Sequence, residues 1–160
     1  RGGPRNGVRK GRPATSVDPQ KASLIGLLGE RAVYWWLARS LPRPLLDAGW
    51  KSSYRTRYLG GKGDDGLGAD FAIQRDGRTR YLEVKAHLDD PLSFELTPSE
   101  LRRAIRCAQQ ADASFEVVYV SHVSDPSRLR IEFMPNPMAP QSSGGYRQEG
   151  QHVTFRFARE

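Results

Sequence analysis

Three residues of the 160-residue chain have the types and spacing that hydrolytic chemistry needs: Asp70, Glu83 and Lys85. Asp70 opens the run Asp-Phe-Ala-Ile-Gln, and Glu83 and Lys85 close the run Thr-Arg-Tyr-Leu-Glu-Val-Lys. Phe71 and Ile73 bracket a small residue, Tyr81, Leu82 and Val84 read as a second strand, and Gln74-Arg75-Asp76-Gly77 is a turn signal, tightest at Asp-Gly. The stretch is predicted to be a hairpin. Strand side chains alternate with period two, so Glu83 and Lys85 share one face, and Leu82 and Val84 share the other. An acid and a lysine inside an apolar strand are costly to bury unless they are paired or metal-bound. Two carboxylates from adjacent strands could hold a hard cation such as Mg²⁺, which takes oxygen ligands. Lys85 beside them would position a water or stabilise charge on a phosphate. These are the parts of metal-assisted phosphodiester hydrolysis. A salt bridge on a solvated sheet face meets the same spacing, and spacing alone does not choose between the two.

Those residues depend on the elements around them. Ser23 to about Ser40 reads as a helix with an apolar stripe at Leu24, Leu27, Leu28, Trp35 and Ala38. Val33, Tyr34, Trp36 and Leu37 widen the stripe, as in a largely buried helix, and Pro42 and Pro44 stop it. Its central acid, Glu30, reads from the residues alone as a surface group paired with Arg31 or a nearby lysine. Residues 45 to 59 alternate aromatic and basic side chains and are expected to form a first strand. Arg55 and Arg57 would then point outward, either to successive phosphates or as guards of a sheet edge. The glycine-rich stretch 60–66 lacks the Gly-Lys-Ser/Thr ending of a P-loop. It reads as a mobile loop beside Asp70, with Asp64 and Asp65 as solvated acids. His87 falls on the face of Glu83 and Lys85 and reads as a rim residue.

Thr97-Pro98-Ser99-Glu100 is a helix start with a capping box, which accounts for Glu100 without a metal. The helix from Pro98 to about Ala111 has Leu101, Ala104, Ile105 and Ala108 as its apolar stripe, with Cys107 at the edge as a small core residue. Arg102, Arg103 and Arg106 lie away from the stripe, on a face suited to phosphate contact or simply to solvent. Phe115 to Val120 reads as a central strand covered on both faces. Residues 129–133 and 153–157 read as strands with one buried face, and 134–150 as a long, flexible, Pro- and Gly-rich connection. The expected fold is α/β (α+β): a central mixed sheet of about four strands flanked by helices, with additional C-terminal strands.

Five segments, taken in order, resemble a known family: Gly29-Glu30 on a helix, Gly68-Ala69-Asp70, Glu83-Val84-Lys85, Leu96-Thr97-Pro98-Ser99-Glu100, and the hydrophobic strand Phe115 to Val120. Asp70 followed by Glu83-Val84-Lys85 resembles the PD-(D/E)XK motif of restriction-endonuclease-like nucleases. The whole order resembles the NO VEIN C-terminal domain family within that group, over roughly residues 23 to 123. Ala69 stands where a larger residue is expected, a departure that bears on packing more than on chemistry. The resemblance implies a restriction-endonuclease-like core and Mg²⁺ (or Mn²⁺) on Asp70, Glu83 and the backbone carbonyl of Val84. It makes Glu30 a third acidic ligand or a partner of the ligands. Lys85 would orient the attacking water or neutralise developing charge, and the products would carry a 5′-phosphate and a 3′-hydroxyl. The implied function is a metal-dependent endonuclease, with DNA the expected substrate, in the setting of a restriction or defence-type protein.

A net charge of +7 favours a polyanionic partner. Nucleic acid fits better than an acidic membrane surface, because no amphipathic basic helix is read; neither a run of 18 apolar residues nor a signal peptide is read in the sequence. Cys107 is the single cysteine, so the chain offers neither a disulfide framework nor a cysteine zinc site, which fits a reducing, cytoplasmic location. Residues 1 to 20 carry Arg1, Arg5, Arg9, Lys10 and Arg12 with almost nothing apolar, and are expected to be a disordered basic tail ahead of a domain spanning 21–160. Arg9-Lys10-Gly11-Arg12-Pro13 resembles an AT-hook core with Lys10 in place of Arg, a segment that can lie in a narrow minor groove. A basic interdomain linker is the reading that composition favours. The start at Arg1 suggests a fragment of a longer protein or a trimmed terminus, and the chain is expected to work as a homodimer or within a multidomain protein. The rival functions are a nucleic-acid-binding module that does not cut, and a protein-interaction module attached to a helicase or ATPase.

Overall fold

The computed structural model describes residues 18–149 and 153–159. Arg9, Lys10 and Arg12 lie outside the described residues. Helix α1 (Pro19–Leu37) starts four residues before the expected Ser23. Asp18 caps it, its Oδ1 accepting the Gln20 N–H at 3.0 Å, and Pro19 pre-sets the first turn. Residues 19 and 20 are therefore helix, not tail.

The expected strand over 45–59 is instead helix α2 (Arg43–Gly49) followed by a 3₁₀ turn, Ser53–Arg57. Pro44 fixes a helical φ in the first turn of α2, and Leu46 and Trp50 both turn into one core instead of alternating across a sheet. Trp50 makes an isolated bridge to Phe71.

The hairpin forms as predicted from β1 (Phe71–Arg75) and β2 (Arg78–Ala86), with Phe71 opposite Leu82. Asp76 and Gly77 have φ of 52° and 73°, the two positive values that a type I′ turn requires. After β3 (Ser93–Glu95) and helix α3 (Pro98–Ala108), β4 (Ala113–Ser121) pairs in parallel with β2, placing Val117 opposite Glu83 and Tyr119 opposite Lys85. β5 (Arg130–Pro135) pairs antiparallel with β4. The central sheet is thus mixed and four-stranded, in the order β1-β2-β4-β5. Two short strands, β6 (Arg147–Glu149) and β7 (Thr154–Arg156), join β3 in a second sheet of order β3-β7-β6.

Strand alternation sorts the side chains into two cores. On one face Leu82, Val118 and Val120, with Val84 and Ala86, meet Val33, Leu37 and Trp50. On the other, Phe115, Val117 and Tyr119, with Tyr81, meet Ala104 and Cys107 of α3 and Phe94, Phe155 and Phe157 around the second sheet. β4 is covered on both faces, as its hydrophobic run required.

Three expectations about exposure need correction. Leu24, Trp35 and Trp36 are exposed although they belong to the apolar stripe of α1, and Ile105 is exposed on α3; α1 buries the side that carries Leu27, Glu30, Val33, Tyr34 and Leu37, and at about 3.6 residues per turn Leu24 and Trp35 fall on the opposite side. The connection 134–149 is packed: Asn136 is buried and donates from Nδ2 to the Ala104 carbonyl at 2.7 Å, and the Tyr146 ring meets Phe94 and Phe155. The glycine-rich loop is tied down by Asp64 N–H to the Lys51 carbonyl and by Ser53 N–H to Asp65 Oδ1 at 2.8 Å. Near the C-terminus Arg159 pairs with Asp90 and Glu132. Among the described residues no helix is long and apolar enough to cross a membrane.

Candidate functional site

Two close approaches bring the acids together. Gly29 faces β2 so tightly that a Cβ there would fall 2.4 Å from the Ala86 Cβ. This contact sets the next residue, Glu30, at the β1 edge of the sheet. Gly68 has φ of 79°, and a Cβ on it would lie 2.5 Å from the Ser99 carbonyl oxygen, so the loop before Asp70 is pressed against the first turn of α3.

Glu30 is 3% exposed, not the surface group that its neighbours suggested. Its Oε2 accepts from Trp50 Nε1 at 2.6 Å and from the Ser52 hydroxyl. Asp70 follows, half-buried at the start of β1, with its Oδ2 accepting the Val84 N–H at 2.8 Å. A strand residue carries its N–H and C=O on the same edge, so the Val84 carbonyl lies on the Asp70 edge too. Glu83 and Lys85 share the α3 face of β2, with Lys85 Nζ 2.9 Å from Glu83 Oε1 and 2.7 Å from Glu100 Oε2. The same Glu100 oxygen accepts the Thr97 N–H at 2.8 Å, completing the capping box.

Two carboxyls, Glu83 and Glu100, thus hold the one ammonium, with Asp70 and behind it Glu30 left unpaired by any cation among the described residues, and the electrostatics follow from that excess. Burial raises the pKa of Asp70, and the charge of Glu30 raises it further, against the Val84 N–H and Lys85. Burial and then the charge of Asp70 raise Glu83. Glu30 is pushed up to about 7 by burial, although the Ser52 and Trp50 hydrogen bonds pull it down. Burial disfavours the charged form of Lys85, but Glu83 and Glu100 outweigh it and hold the group above its ordinary range. Glu100 is lowered, because Lys85 overcomes its burial.

The donor set fits a hard cation: it is all oxygen, it carries more negative charge than Lys85 offsets, and Asp70 keeps access to solvent. Mg²⁺ takes one or two protein carboxylates and fills its remaining positions with water and phosphate. Among the described residues no three acidic, histidine or cysteine side chains are arranged to hold one ion. The residues that fit are therefore the Asp70–Glu83 pair with the Val84 carbonyl, while Glu30 stands behind Asp70 on Trp50 and Ser52.

The other predicted residues divide. Arg57 is exposed at the end of the 3₁₀ turn. Arg55 is half-buried and donates from Nη2 to the Asp47 carbonyl at 3.4 Å, so the two do not point outward as a strand pair. Arg102 and Arg106 are exposed on α3. Arg103 turns inward, its Nε donating to the Leu67 carbonyl at 3.0 Å and its Cζ lying 4.4 Å from the centre of the Tyr81 ring. Asp64 and Asp65 accept backbone N–H groups. The His87 ring packs on Tyr119 at 5.0 Å, and burial lowers its pKa. Sequence reasoning left out Glu100, Trp50 and Ser52. The signal for Glu100 was its place in the five-segment pattern, which the capping-box reading set aside. Nothing local marked Trp50 or Ser52.

A family model described as Protein NO VEIN, C-terminal matches residues 50–132, just over half of the chain. The match contains Asp70, Glu83, Lys85 and Glu100 and leaves out Glu30. No curated protein and no solved structure matches the chain.

Proposed function

This chain belongs to the NO VEIN C-terminal domain family, and we propose that it is a metal-dependent nuclease domain of the PD-(D/E)XK kind. It hydrolyses phosphodiester bonds of nucleic acid, DNA first, as one domain of a multidomain protein. The observation that carries this reading is the excess of carboxyls over ammonium groups around a half-buried Asp70. The charge of Asp70 adds to burial in raising Glu83, a repulsion that a cation held between the two would relieve.

Mg²⁺ or Mn²⁺, held by Asp70, Glu83 and the Val84 carbonyl with Glu30 behind them, would supply Lewis-acid polarisation of the phosphate and a more acidic water. The chain's own residues do the rest. The Val84 N–H fixes the Asp70 carboxylate, and Trp50 and Ser52 fix Glu30. Lys85 brings a positive charge to the α3 side of the site, where it stabilises charge developing on the phosphate or orients the attacking water. Glu100 keeps hold of Lys85 when Glu83 is engaged elsewhere.

The test is nicking of supercoiled plasmid with Mg²⁺ and with EDTA by the parent, Asp70→Ala and Lys85→Ala. Nicking is expected only from the parent with metal. A parent that fails to nick with either Mg²⁺ or Mn²⁺, or variants that nick at the parental rate, would overturn the reading. The second reading, a nucleic-acid-binding module that does not cut, is favoured by one observation: Lys85 is held by two carboxylates at once. It predicts that the parent binds nucleic acid but does not nick it, and that Lys85→Ala binds as the parent does.

A further inference from the structure

A row of aromatic rings runs outward from Glu30 in both directions. Trp50, bonded to Glu30 through Nε1, stacks on Tyr58 with centroids 5.7 Å apart and planes 20° from parallel. On its other side Trp50 meets Tyr34 at 5.0 Å, and Tyr34 meets Trp35 edge-on at 5.6 Å. The middle of the row is buried, but its ends are open: Trp35 is 52% exposed and Tyr58 is 45% exposed.

Each open end carries an arginine. The Arg31 Cζ lies 5.6 Å from the centre of the Tyr58 ring, and the Arg43 Cζ lies 4.7 Å from the centre of the Trp35 ring. Arg31 and Trp35 are four residues apart on α1 and so neighbours on one helix face. Arg57 is exposed next to Tyr58. Among the described residues none of these three arginines is in an ion pair. The nearby acid, Asp47, accepts from the Tyr34 hydroxyl, to which Arg43 donates from Nη1. Arg31 and Trp35 of α1, Arg43 of α2 and Arg57 and Tyr58 at the end of the 3₁₀ turn therefore form a strip of cations and flat rings, whose Tyr58 end lies one buried ring away from Glu30.

We propose that this strip binds an unpaired strand of nucleic acid and leads it to the acidic site, so that the substrate has a single-stranded segment. The inference deepens the nuclease reading and rests on it for what happens at the far end of the strip, but not for the binding itself. In a duplex the base faces are covered by their neighbours, so exposed rings can stack only on bases that have left the stack. Arginines between the rings then reach the phosphates, the combination that single-strand binders use.

The test is fluorescence anisotropy in EDTA with labelled oligo(dT), oligo(U) and a blunt duplex of equal length. Trp35→Ala and Tyr58→Ala should each weaken the two single strands by about ten-fold and leave the duplex nearly unchanged. Tyr58→Phe and Trp35→Phe should restore binding. The comparison of oligo(dT) with oligo(U) assigns the sugar. Equal losses on all three probes, or no loss on any, would overturn the proposal. Tyr58 also packs on Trp50, so a melting curve in EDTA accompanies each variant; if Tyr58→Ala does not melt cooperatively, Trp35→Ala alone decides. No metal is present in the binding assay, so failure to nick would remove the nuclease reading without touching this one. Nicking by the parent with single-strand binding unaltered in the variants would remove this one alone.

Discussion

Burial and hydrogen bonding pull Glu30 in opposite directions, and burial wins, leaving its pKa at about 7 against 4.5 for a free glutamate. The folded protein therefore favours the protonated form. Its contribution to stability is full below pH 4.5 and is lost as pH rises through about 7, a loss on the order of 3 kcal/mol. His87 acts in the opposite sense, because its lowered pKa costs stability as pH falls below 6.5. The quantity to measure is thus the difference between parent and Glu30→Gln melting temperatures in EDTA. The parent should lose ground to the variant between pH 5 and pH 8, and a constant difference would mean that Glu30 does not titrate near 7 in the folded protein. At Asp70 the charge and the hydrogen bond can be separated. Asp70→Asn keeps an acceptor for the Val84 N–H and removes repulsion with Glu30 and Glu83. In EDTA at neutral pH it should melt at or above the parental temperature, while gaining nothing from added Mg²⁺. If Asp70 were half of a buried structural ion pair, the loss would instead be roughly 3–5 kcal/mol.

At the level of elements, the site depends on how closely α1 and α3 approach the sheet. Gly29→Ala puts a methyl group 2.4 Å from the Ala86 Cβ, both on rigid elements, so α1 has to shift. The expected cost is about 1–3 kcal/mol by urea unfolding. The shift also displaces Glu30, so the rise in melting temperature on adding Mg²⁺ should shrink with it. A variant with parental stability and parental Mg²⁺ response would show that α1 has room to move. Thr97→Ala removes the cap of α3 and should cost about 1 kcal/mol. It also loosens the turn that holds Glu100 against Lys85, so nicking should fall while nucleic-acid affinity stays the same.

Over the whole molecule, a net charge of +7 predicts nucleic-acid binding that weakens steeply with salt, because each neutralised phosphate releases counterions. The three arginines of α3 do not contribute alike. Arg102 and Arg106 are exposed, and replacing both with Ala should flatten the slope of log affinity against log salt by about two for duplex DNA. Arg103 holds the Leu67 carbonyl and covers Tyr81. Its replacement should lower the melting temperature and leave the salt slope nearly unchanged. A common effect from all three would mean that α3 presents a uniform basic face after all.

The sequence by itself determined the features that short-range pattern dictates. Asp-Gly between two apolar runs set the turn, period two put Glu83 and Lys85 on one face, and the unbroken apolar run of Phe115 to Val120 demanded a central strand. Thr97 through Glu100 announced its own cap. These features depend on residues a few positions apart, where geometry is nearly fixed once the element is named. The tertiary structure decided the rest. Residues 45–59 alternate as a strand would, but Pro44 and the inward turn of Leu46 and Trp50 made them helix and 3₁₀ turn. Glu30 reads as a surface acid until Gly29 lets α1 close on Ala86 and Trp50 reaches its carboxylate from twenty residues away. Glu100 reads as a cap until Lys85 arrives from β2, and Trp35 as core until Val33, Tyr34 and Leu37 turn the other side of α1 to the sheet. Each of these outcomes depends on how near two distant segments can come, which is set by the absence of a Cβ at one position and the bulk of a ring at another, not by any periodicity along the chain.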